Sequence, residues 1–277
     1  NDGTSDVVQK LVDAGDEAGL RAILSTRLEF GTAGLRGAMG AGSNRMNDLT
    51  VLQASQGLCA YLESVMGQEE LRSRGVVVGY DHRASDSLNS ESFALYTAAA
   101  FVHRGVRVYL FNGIVPTPFV PFAIGLKGCA AGVMVTASHN PKQDNGYKVY
   151  WGNGSQIIPP HDAGIAACIE ANAAPWARFD LGSVRASELV VDAREEVAEA
   201  YYKALVTKLC RHRADNEATP VRFTYTAMHG VGAPWTLRAL REFGIPEGAV
   251  ASVPEQHEPN PTFPTVPFPN PEEGKGA

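Results

Sequence analysis

Three short runs, residues 75–80, 106–111 and 130–135, are apolar almost end to end and are separated by segments long enough for helices. Strands buried on both faces have this composition, because neither face alternates toward water. Between the first two runs, Asp81-His82-Arg83-Ala84-Ser85 reads as a loop and residues 91–104 as a helix stopped by Gly105. Pro116, Pro118 and Pro121 bracket a short helix before the third run. Strand, helix, strand, helix, strand is the order of a sheet built with right-handed crossovers. The expected fold is therefore α/β. Upstream, Asn47 or Asp48 caps a helix running to about Met66, with Leu49, Leu52, Leu58, Tyr61, Leu62 and Val65 on its apolar side and Gly67 as its stop.

The segment directly after the third run carries chemistry. Thr136-Ala137-Ser138-His139-Asn140-Pro141 begins as the strand ends, and proline both removes a donor and restricts the residue before it. Ser138 and His139 are thus presented on a sharp loop at the C-terminal end of a strand, the edge where open α/β sheets bind ligands. A serine there is a candidate nucleophile or phosphate carrier; taken alone, the pair reads more simply as the cap of a turn. Asn145-Gly146 and Gly152-Asn153-Gly154 are turn signals. Between them Tyr147, Val149 and Trp151 alternate with Lys148 and Tyr150, which puts Lys148 on the opposite face from Tyr147. Phe30-Gly31-Thr32-Ala33-Gly34-Leu35-Arg36-Gly37 is a glycine-rich loop holding an arginine, with Arg45 close behind. Such a loop lets backbone N–H groups and a guanidinium fork approach an anion, or simply makes a tight turn.

Residues 161–171 read as a packing helix and 172–189 as a linker without periodicity. A second unit begins near Asp192, with a helix over 193–209 and a strand over 221–226. Met228-His229-Gly230-Val231-Gly232 then makes a glycine loop, with Pro234 suited to a helix start. The loop lacks Gly-x-Gly-x-x-Gly, and a tight turn is its simpler reading. Seven prolines between 254 and 271 exclude a regular helix or central strand there.

A net charge of −6 argues against a dedicated nucleic-acid binder, and no apolar run approaches the roughly 18–20 residues that span a membrane. Cys59, Cys129, Cys168 and Cys210 are dispersed, without Cys-x-x-Cys spacing. They read as buried thiols in a reducing, cytoplasmic compartment.

Thr-Ala-Ser-His-Asn-Pro at 136–141 followed by Asn-Gly-Tyr-Lys at 145–148 resembles the signature of the α-D-phosphohexomutases. The longer segments 29–36 and 142–151 look most like the phosphoglucomutase-2/phosphopentomutase branch, which also includes a glucose-1,6-bisphosphate synthase. The resemblance implies that Ser138 cycles between hydroxyl and phosphoserine. It donates its phosphoryl group to a sugar monophosphate and recovers the other phosphate from the bisphosphate intermediate. It further implies Arg36 as a phosphate ligand, Lys148 in proton transfer and Asn140 organising the loop; His139 reads as bonding the phosphate, as orienting the serine loop, or as a plain core or turn histidine. Asp81, Arg83 and Arg45 are expected as surface ion pairs or loop supports. The implied cofactors are Mg²⁺, met in this chain only by a phosphate on Ser138, and glucose 1,6-bisphosphate as activator. The implied partners are small sugar phosphates, with no nucleic acid and no membrane. A phosphohexomutase first domain over 1–191 and the start of a second over 192–277 are expected. The family's three-aspartate metal loop, sugar-reading loop and last phosphate loop fall outside these residues, so part of a longer protein, inactive by itself, is expected. Bisphosphate synthesis, metal-dependent phosphomonoester hydrolysis and non-catalytic phosphosugar binding are the alternatives.

Overall fold

The computed structural model describes residues 2–266 and 268–273. The chain opens with α1 (Asp2–Asp13) and α2 (Glu17–Leu24), packed on each other, followed by β1 (Leu35–Ala38). Next come α3 (Asp48–Met66), the short α4 (Gln68–Arg74) and β2 (Val76–Tyr80). The loop after β2 contains a small hairpin, β3 (Ala84–Ser85) and β4 (Leu88–Asn89), and leads into α5 (Ser90–His103). β5 (Val108–Leu110), α6 (Phe119–Lys127), β6 (Ala131–Val135) and β7 (Asp144–Trp151) come after it. α7 (His161–Ala171), α8 (Leu181–Arg185) and β8 (Val190–Asp192) complete the first sheet and its helices. The remainder is α9 (Arg194–Leu209), α10 (Arg213–Glu217), β9 (Phe223–Tyr225), α11 (Gly232–Glu242) and β10 (Val250–Ser252).

Six strands form a mixed sheet in the order β1-β7-β6-β2-β5-β8. β7 is antiparallel to both neighbours; β6, β2, β5 and β8 are mutually parallel. All five residues of β2 and of β6 are buried, as their unbroken apolar sequences require. Helices α3, α5 and α7 cover one face and α6 and α9 the other. β9, α11 and β10 make a separate parallel βαβ unit. Its α11 packs on α9, where Trp235 meets Phe119 with ring centroids 4.9 Å apart and its carbonyl accepts a 2.8 Å bond from the Tyr202 hydroxyl.

α3 starts as its sequence indicates. Asn47 accepts from the Thr50 N–H while the Thr50 hydroxyl accepts from the Asn47 N–H, a reciprocal capping box. Its buried stripe, however, is Val51, Ser55, Leu58 and Leu62, at the i, i+4, i+7, i+11 spacing of one helix face. Leu49 and Val65, expected on that side, are half exposed. Leu49 faces away from the stripe, and Val65 lies in the last turn before Gly67. The Ser55 hydroxyl is 2.9 Å from the Tyr147 hydroxyl and donates to the Thr97 hydroxyl at 3.2 Å, so a polar trio is satisfied inside the core.

Two other expectations fail for identifiable reasons. Asn145-Gly146 is not a turn but lies inside β7, where Arg36 pairs with Gly146 and Gly37 with Asn145. The reversal between β6 and β7 occurs earlier, at 136–143. Gly146 is needed because a Cβ there would fall 2.5 Å from the Thr136 carbonyl oxygen. Residues 172–189 are not a loose linker. The Gln56 amide donates to the carbonyls of Asn172 and Ala174 and accepts from the Trp176 N–H, and the Arg104 guanidinium lies 4.2 Å from the Trp176 ring. Side-chain-to-backbone anchors leave no period for sequence to reveal. All four cysteines are free thiols, but only Cys59 and Cys129 are buried; Cys168 and Cys210 are half exposed.

Gly34 approaches β7 so closely that a Cβ would sit 1.8 Å from the Tyr147 carbonyl oxygen, and its φ is +75°. Gly34→Ala is expected to destabilise the fold by about 2–5 kcal/mol, summing left-handed strain and overpacking. Equilibrium denaturation measures it; a loss below about 1 kcal/mol would mean that the loop moves away from β7 at little cost.

Candidate active site

The register of the central strands brings the site together. Leu35, Tyr147, Val135 and Tyr80 form one row across β1, β7, β6 and β2, and their side chains enter the core beneath α3 and α5. Because side chains alternate along a strand, Arg36 and Lys148 project on the other face, on either side of side-chain-free Gly146. The ends of β2 and β6 are adjacent, so the loops beginning at Asp81 and at Thr136 emerge side by side at the C-terminal edge of the sheet.

Ser138 sits at the apex of its loop, exposed and with φ +56°. A non-glycine residue in this region is strained by about 1–3 kcal/mol and persists only when its surroundings hold it. The Ser138 N–H donates to the Thr136 hydroxyl at 3.1 Å, and the Asn140 N–H to the Ala137 carbonyl at 3.0 Å. The stronger restraint is Arg83. Its Nη1 donates to the carbonyls of Pro141 (2.8 Å) and Asp144 (2.9 Å), and its Nη2 to those of Ser138 (2.8 Å) and Asn140 (2.9 Å). One guanidinium therefore holds four carbonyls of the serine loop.

Expected as a surface ion pair or a loop support, Arg83 is a loop support, but it is not at the surface: it is 1% exposed. Its charge is met by Asp81, with Nε 3.5 Å from Oδ2. Asp81 Oδ1 accepts from the Arg83 N–H at 2.9 Å and from the Ser90 hydroxyl at 2.6 Å, and Asn145 donates to that hydroxyl at 2.9 Å. The network runs from the start of α5 through the β2 loop to Ser138. Asp81 and Arg83, which read from sequence only as outer candidates, are thus central to the loop. Their position directly after a buried strand, level with the serine loop on its neighbour, is the signal that could have marked them. Arg45 exposes its side chain and contributes only its carbonyl, which accepts from the Thr50 hydroxyl.

The other expected residues gather around this loop. Arg36 Nη1 donates to the Asn140 side-chain oxygen at 3.2 Å, and the Asn140 amide donates to Asp144 Oδ2 at 3.0 Å. The Ser138 hydroxyl and His139 Nδ1 are 3.4 Å apart, and both residues are exposed. Lys148 is half-buried, and among the described residues its amine makes no hydrogen bond or ion pair. Burial first, then the positive charges of Arg36 and Arg83 against the opposing pull of Asp81, hold its pKa below the ordinary lysine range. An uncommitted amine with a lowered pKa is suited to accept a proton.

Ser138, His139, Asp81 and Thr117 line one wall of a cleft of about 410 Å³. The opposite wall comes from the second unit: Ala227, Met228, Gly230 and Val231, with Phe263 and Pro269 beyond. The glycine loop read as a plain turn therefore faces the serine loop. Met228 and His229 are both left-handed there, with φ of +51° and +60°. Buried His229 anchors the loop through its Nε2, 2.8 Å from the Thr265 hydroxyl. Sequence could not place it, because the facing depends on how α11 packs against α9.

Among the described residues no group of three or more His, Cys, Asp and Glu side chains forms a metal-binding cluster. Asp81 is committed to Arg83 and Ser90, and Asp144 to Asn140. The described side chains thus do not by themselves make a cage for Mg²⁺. Among the described residues no helix is long and apolar enough to cross a membrane.

Residues 27–175 match the family profile described as phosphoglucomutase/phosphomannomutase, alpha/beta/alpha domain I, and residues 199–277 match that for domain II. The chain belongs to the phosphoglucomutase/phosphomannomutase family. It is 47% identical over 281 residues to the phosphopentomutase of Homo sapiens, covering 100% of this chain and 45% of that protein. It is 44% identical over 278 residues to the Homo sapiens glucose 1,6-bisphosphate synthase, covering 99% and 44%. To the probable phosphoribomutase of Schizosaccharomyces pombe it is 48% identical over 275 residues, covering 98% and 45%. A phosphoglucomutase/phosphomannomutase family protein from Burkholderia thailandensis shares the fold, with a TM-score of 0.61 at 22% identity over 85% of this chain and 45% of that one. The chain spans less than half the length of the curated relatives it matches.

Proposed function

We propose that the protein to which this chain contributes shifts a phosphoryl group between two oxygens of a sugar phosphate, using phosphoserine at Ser138 and a sugar bisphosphate intermediate. The observation that carries the reading is Ser138 itself. Its hydroxyl is exposed on a strained loop whose carbonyls are fixed by buried Arg83, beside Arg36 and an uncommitted Lys148.

In the forward half-reaction a sugar hydroxyl attacks the phosphorus on Ser138. The bond from phosphorus to Oγ breaks as the bond to the sugar oxygen forms. Neutral Lys148 takes the proton of the attacking hydroxyl, and Oγ is reprotonated from the His139 side or from water. Reversal with the other phosphate regenerates phosphoserine. Arg36 supplies a planar two-donor fork for phosphate oxygens and, through Asn140, ties that phosphate to the loop. Splitting the transfer in two avoids a direct intramolecular jump. Mg²⁺, when bound to the phosphoserine, would neutralise charge on the transferring group. A sugar bisphosphate such as glucose 1,6-bisphosphate would charge the serine. In the same proposal residues 1–191 form the serine-bearing domain, residues 192–277 begin the second, and the protein works in the cytoplasm. Relatives named as phosphopentomutase and as bisphosphate synthase lie at similar identity, so both sugar classes and bisphosphate synthesis belong to the reading.

Ser138→Ala in the whole protein is expected to abolish phosphate uptake from glucose 1,6-bisphosphate and to reduce turnover by more than about 10⁴-fold, as nucleophile removal does elsewhere. Phosphopeptide mapping with a coupled mutase assay decides it, and normal turnover in the variant would sink the mechanism. Net release of inorganic phosphate in place of an isomerised sugar phosphate would mark a phosphomonoesterase.

A further inference from the structure

Phe263 belongs to the proline-rich stretch of the second unit, and its backbone is left-handed, with φ +46°. A bulky aromatic residue adopts that conformation at a cost of about 1–2 kcal/mol and needs surroundings that hold it. They do. The Phe263 N–H donates to the Asn260 carbonyl at 3.1 Å and its own carbonyl accepts from Val266 at 3.1 Å. Asn260 is bound to the His229 carbonyl at 2.9 Å, and His229 to the Thr265 hydroxyl at 2.8 Å.

The ring so held is 3% exposed and points back at the first domain. Its centroid is 5.4 Å from the Arg83 guanidinium carbon, 5.2 Å from the centre of the His82 ring and 6.5 Å from that of His229, which it meets nearly edge to face. Arg83 is the group that grips four carbonyls of the Ser138 loop. An aromatic face beside a guanidinium attracts its charge and excludes water from the hydrogen bonds it makes, strengthening each. A leucine fills similar space but offers no such face.

We propose that Phe263 is a positioning residue: by covering the Arg83 guanidinium it fixes the Ser138 loop in its phosphate-accepting geometry, so that the second domain sets the reactivity of a serine on the first. The proposal rests on Ser138 being the phosphate carrier. In the charging step the phosphorus–oxygen bond of the sugar bisphosphate breaks, a phosphorus–Oγ bond forms, and the Ser138 proton passes to the departing sugar oxygen. A misplaced Oγ slows this step without weakening sugar binding.

The test compares wild type, Phe263→Leu and Phe263→Tyr in the whole protein. Glucose 1,6-bisphosphate serves as phosphate donor, with Ser138 phosphorylation followed by mass spectrometry, steady-state turnover, and hydrogen exchange of the 138–144 amides. Phe263→Leu is expected to charge Ser138 and turn over about tenfold more slowly, with KM changed by less than about twofold and faster exchange confined to the serine loop. Phe263→Tyr is expected to restore all three. An unchanged kcat in Phe263→Leu overturns the proposal, as does a loss wholly accounted for by a smaller folded fraction. If wild type takes no phosphate at Ser138, the carrier reading fails instead. The exchange rates still judge the contact with Arg83, and equal exchange in wild type and Phe263→Leu overturns it.

Discussion

Arg83→Met is expected to lower the unfolding free energy by about 3–5 kcal/mol, the cost of removing one partner of a buried ion pair. Methionine fills much of the space but returns none of the donors. Asp81, 7% exposed, loses its counter-charge, and the carbonyls of Ser138, Asn140, Pro141 and Asp144 lose their donor together. Carbonyls left near water find new partners, so the four losses do not add in full. Arg83→Lys separates charge from geometry. A lysine keeps the pairing with Asp81, but three donors on one nitrogen cannot span the fork that reaches both sides of the loop. About half the loss is expected for it. Urea denaturation with the melting temperature reads both variants. A deficit below about 1 kcal/mol for Arg83→Met would mean that the loop holds its own shape.

The second large effect belongs to Lys148. Lys148→Met is expected to reduce kcat by about 10²–10⁴-fold, the usual contribution of a positioned acid or base. The pH profile distinguishes its role. Burial and the nearby arginines lower the Lys148 pKa, so the neutral amine becomes populated at a lower pH than in an ordinary lysine. The wild-type rate should rise with pH up to that lowered pKa and then level, whereas Lys148→Met should lack the rise. Lys148→Arg keeps the charge but not the ability to deprotonate, and is expected to be as impaired as Lys148→Met. Near-normal turnover in the arginine variant would reassign Lys148 to holding phosphate. The same shift carries a stability sign. Between the lowered pKa and the ordinary lysine value the unfolded chain binds more protons than the folded one, so stability rises with pH across that window. Half-exposure of Lys148 keeps that contribution small.

Much of this architecture was legible in the chain. Unbroken apolar runs specified β2 and β6, since a strand covered on both faces has no polar side to display. Asn47 or Asp48 announced α3, and Asn47 is the cap, because its hydrogen bonds close within three residues. Asn140-Pro141 forced a loop where Ser138 stands, and alternation put Lys148 opposite Tyr147, which is fully buried. Each depends on neighbours in sequence.

The features that needed the tertiary structure depend on partners far away along the chain. Asn145-Gly146 has the composition of a turn and is a strand, because pairing with β1 and β6 outweighs a local preference. Arg83 looks like a surface cation until β2 and β6 pair and place it beneath carbonyls 55 to 61 residues onward. The loop at Met228 and the ring of Phe263 join the Ser138 cleft only because α11 packs on α9. The sequence by itself determined the layers of the fold and the exposed serine on its loop. Only the tertiary structure decided what grips that loop and what faces it, because a buried guanidinium finds its acceptors in space and carries no mark of them in the residues beside it.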